Sequence, residues 1–160
     1  MRITRTTLLK AAKTFVAQRT AKDRHIICVY LTGSLIDDLP LLGGTADIDL
    51  VIVHDDAPPA PREIVRLTPN VHIDLAHHSQ SIYKEPKQLR LDPWVGSYLI
   101  KDPIVLHGGS QHWFEFVQAS VFSQFNNPEN VYKRALPLIE SARQTWLNHQ
   151  LDPQEANVEH

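Results

Sequence analysis

Three aspartates stand where a globular domain has little reason to keep charge. Asp47 and Asp49 are two residues apart and open the most hydrophobic run of the chain, Ile48-Asp49-Leu50-Val51-Ile52-Val53. On an extended backbone such residues leave the same face, roughly 6 to 7 Å apart. Bare carboxylates that close raise each other's pKa. A divalent cation removes that cost, and magnesium prefers carboxylate oxygens together with substrate phosphates. A third acid, Asp74, lies between Ile73 and Leu75 in another strand-like run. If that strand neighbours the strand of Asp49, about 5 Å away, three carboxylates converge on one patch. Such a patch suits two metal ions roughly 4 Å apart, clamping the attacking and leaving oxygens of an in-line phosphoryl displacement. That chemistry is mostly positioning and charge neutralisation, so few residues are needed. Taken singly, each aspartate reads as a turn, edge or solvent-face residue; the inference rests on the three together.

Ahead of the pair, Thr32-Gly33-Ser34 breaks the apolar run Ile26-Ile27-Cys28-Val29-Tyr30-Leu31. Glycine lets a phosphate approach the backbone, and Ser34 offers a hydroxyl and a backbone N–H. A helix starting at Ser34 would add further free N–H groups for an anion. The single cysteine, Cys28, reads as a small buried hydrophobe rather than a nucleophile. Nine histidines invite a zinc hypothesis, but adjacent His77 and His78 point to opposite faces of a strand, and no cysteine pair is present. No zinc site is expected. His72 shares its strand face with Asp74. Trp94, Trp113 and Trp146 are expected to pack helices rather than stack a base.

The elements that must position these groups follow from periodicity. Residues 6 to 20 form an amphipathic helix, with Leu8, Ala12, Phe15 and Val16 on one side and Lys10, Lys13 and Gln18 opposite. Thr4, Thr6 and Thr7 are its available caps. Strands are expected over 26–31, 48–53 and 71–76, the first continuously apolar and the last alternating. The segment 55–61, with three prolines, is a loop that cannot join a central sheet, and Gly43-Gly44 is a flexible turn. Residues 84–90 are helical or irregular, 94–100 a short helix, and 103–106 a last edge strand. A helix follows over 111–125. Another is announced by Asn127 as cap, Pro128 at the first position and Glu129 in the first turn. Its stripe Val131, Ala135, Leu138, Ala142, Trp146 is expected to pack, and Pro137 to kink it. The result is an α/β (α+β) fold, a short mixed sheet flanked by helices. Residues 1–108 form the site-bearing domain, 109–150 a helical part packed on it, and 151–160 a polar tail.

At 160 residues, with 42% apolar and 21% charged side chains, the chain can bury a core. Its net charge of -2 carries no basic footprint for nucleic acid, which is not an expected partner. The start, Met1-Arg2-Ile3-Thr4-Arg5, lacks an apolar signal core, and no run reaches the roughly 18 apolar residues of a membrane helix. A cytoplasmic location and no membrane partner are expected.

Taken together, Leu31-Thr32-Gly33-Ser34, twelve residues between Ser34 and Asp47, then Ala46-Asp47-Ile48-Asp49-Leu50-Val51-Ile52-Val53 resembles the DNA polymerase beta-like nucleotidyltransferase superfamily. Asp74, in Val71-His72-Ile73-Asp74-Leu75, corresponds to its third acid. Residues 26 to 76 carry the likeness, which is greatest to small bacterial nucleotidyltransferase-domain proteins, including the minimal antitoxins and the aminoglycoside nucleotidyltransferases. The resemblance implies ATP or another nucleoside triphosphate as donor. It also implies transfer of a nucleoside monophosphate to a hydroxyl on a protein or small molecule, with release of pyrophosphate. On that mapping Gly33 and Ser34 contact the triphosphate, Asp47 and Asp49 ligate two magnesium ions, and Asp74 helps hold the catalytic one. Asp74 is also placed to accept the acceptor hydroxyl's proton. Small members often carry a basic residue three or four positions after the serine; here Asp37 and Asp38 stand there. Lys84, Lys87 or Arg90 would have to supply that charge. Two further roles are open: an antitoxin whose acceptor is a partner toxin, and a non-catalytic module for assembly.

Overall fold

The computed structural model describes residues 4–37, 46–108 and 112–151. The chain opens with helix α1, Arg5–Lys22. Thr4 caps it reciprocally with Thr7: the Thr7 amide donates to the Thr4 hydroxyl at 3.2 Å, and the Thr4 amide donates to the Thr7 hydroxyl at 3.0 Å. Two otherwise unpaired donors are thereby satisfied. Leu8, Ala12 and Val16, four apart, form its buried stripe.

Five strands follow: β1 Ile26–Thr32, β2 Ala46–His54, β3 Arg62–Thr68, β4 Val71–Ser79 and β5 Ile104–His107. They lie in the order β3-β4-β2-β1-β5. The β2–β4 pair is parallel and the other three are antiparallel, so the sheet is mixed, as expected. Alternation along the central strands serves two cores. Val29, Leu31, Ile48, Leu50, Ile52, Ile73 and Leu75 pack under α1. Cys28, Tyr30, Val51 and Val53 pack under short helices α2 (Pro86–Leu89) and α3 (Val95–Ile100) and the longer α4 (His112–Phe125). β5 is the edge strand expected for 103–106, shifted by one residue.

Several expectations need correction. β3 was not foreseen. Its residues alternate between half-buried and exposed, with Ile64 65% exposed, so no apolar pattern marks it, and only ladder bonds to β4 make it a strand. β4 continues through His77 and His78 to Ser79, because His77 finds a buried partner in His54. Of the tryptophans, only Trp113 packs, edge-on to Tyr83 and Phe114; Trp94 and Trp146 are exposed. The last helix, α5 (Pro128–Leu151), starts as expected, the Glu129 amide donating to the Asn127 side chain at 3.0 Å. Its stripe does not pack: Val131, Leu138 and Trp146 are exposed. α4 supplies the helical packing instead, through Phe114, Val117, Val121 and Phe125. The Gly43-Gly44 turn and the polar tail from 152 onward lie outside the described residues.

Candidate active site

β2 enters the sheet at Ala46, and its first two outward residues on the α3 face are Asp47 and Asp49; higher on that face come Val51 and Val53. The acids therefore sit below the helical cover, where one face of the strand stays reachable. Register completes the patch. Asp49 pairs with Asp74 across the parallel β2–β4 ladder, and with Thr32 across the antiparallel β1–β2 ladder. Residues level with each other on neighbouring strands share a face. All three acids thus lie on one side of the sheet.

Thr32 ends β1, and Gly33–Leu35 forms a 3-10 turn. Gly33 has φ +73, in the left-handed region that a residue with a Cβ disfavours. A Cβ on Gly33 would overlap the Asp49 carboxylate. The glycine is needed twice over, for the turn and for the acid. Arg5 of α1 fixes the turn from below, its guanidinium donating to the carbonyls of Leu35 at 3.0 Å and Ile36 at 3.1 Å. Ser34 is exposed. The turn spans three residues, too short for a helix N-terminus, so the helix considered at Ser34 is absent and its anion-binding contribution with it.

Electrostatics separate the acids. Burial pushes the Asp49 pKa up, and the Asp74 and Asp47 charges push it further, with Arg62 opposing. Asp47 is exposed, 3.6 Å from His72 Nδ1. Asp74 is held on both oxygens by Arg62: Nε donates to Oδ1 at 2.8 Å and Nη2 donates to Oδ2. Tyr98 of α3 completes the wall; burial raises its hydroxyl pKa, and Asp49 and Asp74 add to the shift. Thr32, Asp49, Arg62, Asp74 and Tyr98 line a cleft of about 240 Å³.

Arg62 lines the cleft without any signal in the sequence pattern. It stands at the start of β3, opposite Ala76 and hence on the face of Asp74, a position visible only once β3 is known to pair with β4. Two of the downstream cations are engaged elsewhere. Arg90 is committed to the Ser120 carbonyl, at 3.0 and 2.7 Å, and Lys84 borders a separate apolar hollow beside Trp113. Asp37 is exposed, and Asp38 lies outside the described residues.

Among the described residues no group of three His, Cys, Asp or Glu side chains has the arrangement of a finished metal site. The donor chemistry nonetheless suits a hard divalent cation: Asp49 carries a raised pKa that Arg62 offsets only in part, and all three acids offer oxygen ligands from one face. Arg62 is what stands between Asp74 and such an ion, since a guanidinium and a metal compete for the same carboxylate. Comparison with known protein families finds no family model that matches the chain, and comparison with curated proteins finds no match.

Proposed function

We propose that the chain is a metal-dependent nucleotidyltransferase that moves a nucleoside monophosphate, AMP from ATP in the first instance, to a hydroxyl on a protein or small molecule and releases pyrophosphate. The observation that carries this reading is the register Thr32–Asp49–Asp74 across three neighbouring strands. It sets the turn glycine and the acids on one rim, which no single segment could do. Asp47 and Asp49 would hold magnesium, with Asp74 as the further ligand; the ions supply charge neutralisation and a fixed line between attacking and leaving oxygens. Gly33 lets a phosphate approach the backbone, and the Ser34 hydroxyl and N–H donate to it. Arg62, which donates to Asp74 here, has planar donors that would suit phosphate oxygens where a cation took its place on the acid. Asp74 would take the proton of the attacking hydroxyl.

The test is calorimetry of magnesium-ATP binding to the parent chain and to Asp47→Asn and Asp49→Asn. The expected result is binding by the parent that weakens at least about tenfold in each variant, one lost charge-assisted ligand being worth 1.4 kcal/mol or more.

One observation favours a second reading. With Arg62 clamped on Asp74, the patch is already partly neutralised without metal, and Asp37 places a negative charge after the turn where a triphosphate would need a positive one. A non-catalytic module for protein assembly, or an antitoxin-type partner of a toxin, would show that arrangement. Magnesium-ATP binding absent from the parent, or indifferent to both substitutions, selects it.

A further inference from the structure

Arg62 is the only cation among the described residues that line the cleft of Thr32, Asp49, Asp74 and Tyr98. It stands level with Ala76 and reaches along β4 to Asp74, which is level with Ile64. Its Nε donates to one carboxylate oxygen at 2.8 Å and its Nη2 to the other. The two partners differ in freedom: the Arg62 side chain is 66% exposed, that of Asp74 only 25%. Among the described residues no other hydrogen bond holds the guanidinium. The backbone is secured separately. The carbonyl of neighbouring Pro61 accepts from the His77 amide at 3.0 Å, and the ladder of β3 to β4 runs on from there. Release of Asp74 therefore needs only side-chain rotation of Arg62, with the strand left in place.

A clamped Asp74 is a poor metal ligand. Both of its oxygens already accept charge-assisted hydrogen bonds, and a cation binding there also meets the positive guanidinium. A bare divalent ion must break the first and tolerate the second. A polyphosphate chain changes the balance. Its oxygens offer the guanidinium the same planar, bidentate recognition as the carboxylate. Arg62 then leaves Asp74 without losing its bonds, and phosphate charge stands between the two cations. We propose that Arg62 is a gate that closes the metal site to a bare divalent cation and opens it to one that arrives with a polyphosphate. The inference rests on the nucleotide reading of the cleft and adds a coupling between its two ligands. Metal and nucleotide each raise the affinity of the other, and one side chain carries the effect.

Two titrations of the parent and of Arg62→Gln test the coupling. Mn2+ alone is read by the electron paramagnetic resonance of the free ion, and equimolar manganese-ATP by calorimetry. The substitution removes charge from an exposed side chain, and far-UV circular dichroism checks that the fold is kept. The Kd for Mn2+ alone is expected to fall at least about tenfold in Arg62→Gln, while that for manganese-ATP does not fall. Adding Asp74→Asn to Arg62→Gln should return Mn2+ binding to the parent's level or below it. Unchanged Mn2+ affinity in Arg62→Gln overturns the gate, as does a gain that survives Asp74→Asn. An equal gain for Mn2+ and manganese-ATP also overturns it, because plain repulsion of cations then accounts for both. In these cases the nucleotidyltransferase reading stands so long as the parent binds manganese-ATP and Asp47→Asn and Asp49→Asn weaken that binding. No manganese-ATP binding by the parent defeats both.

Discussion

Around Asp49, burial and two neighbouring carboxylates act in the same direction, and Arg62 opposes them only in part. A carboxyl whose pKa is raised by folding keeps its proton in the native chain over a range where the unfolded chain has lost it. Native stability is therefore larger below that range and falls as pH rises from the ordinary value of 3.8 through the raised one. At neutral pH, without divalent cations, ionised Asp49 is a burden. Asp49→Asn is expected to raise stability by roughly 0.5–2 kcal/mol in urea unfolding, with the gain vanishing in acid and cancelled for the parent chain by added magnesium. A loss of stability would mean that Asp49 is already compensated. Gly33→Ala probes the same contact from the other side. The new Cβ would overlap the Asp49 carboxylate at a backbone angle of φ +73, and a strained residue of this kind costs about 1–3 kcal/mol. Its unfolding midpoint should drop and magnesium-ATP binding should disappear together. Unchanged binding would show that the turn does not shape the cleft.

β2 and β4 are joined by more than their ladder. On the α1 face, His77 stands level with Ile52, and His54 follows two residues further along β2, with its Nε2 2.9 Å from His77 Nδ1. One ring nitrogen must donate and the other accept, so the pair tolerates a proton on only one of the facing atoms. Asp23 lies 4.0 Å from the far nitrogen of His54, and Glu63, itself paired with Arg19, lies 3.4 Å from the far nitrogen of His77 without the alignment of a hydrogen bond. Burial dominates and lowers both pKa values; the carboxylates oppose it, and Arg19 and each neighbouring histidine reinforce it. A lowered histidine stabilises the fold fully above its ordinary pKa of 6.5, and that contribution is lost as pH falls from there through the lowered value. Urea midpoints should accordingly fall as pH drops from about 7.5 to 5.5, and His77→Asn should flatten the slope. A parent curve flat over that window would sink this account.

At the scale of the molecule, the two cores lie on opposite faces of one sheet, and α5 belongs to neither beyond its first turns. Truncation after Leu136 keeps the Arg134 anchor, and over 137–150 it removes only exposed residues apart from the half-buried Leu147. Stability measured in dilute solution should then change by less than about 1 kcal/mol, since exposed positions away from special contacts contribute little. A large loss of stability on truncation in dilute solution would place the end of α5 in the fold itself.

Much of this architecture was legible in local chemistry. The α1 stripe, the apolar runs of β1 and β2, the alternation of β4 and the Asn127-Pro128-Glu129 cap are patterns that a backbone of fixed period imposes on nearby residues. The spacing of Asp47 and Asp49 belongs with them, because two positions on one strand always share a face. What no local pattern held was pairing. That Asp74 comes level with Asp49, that an unremarkable stretch becomes β3 and brings Arg62 onto the third acid, that His54 meets His77, and that the α5 stripe is left open are consequences of which strands lie side by side and where the second core ends. Such contacts join residues far apart in the chain, and their energy resides in ladders and packing that form only when the whole sheet does.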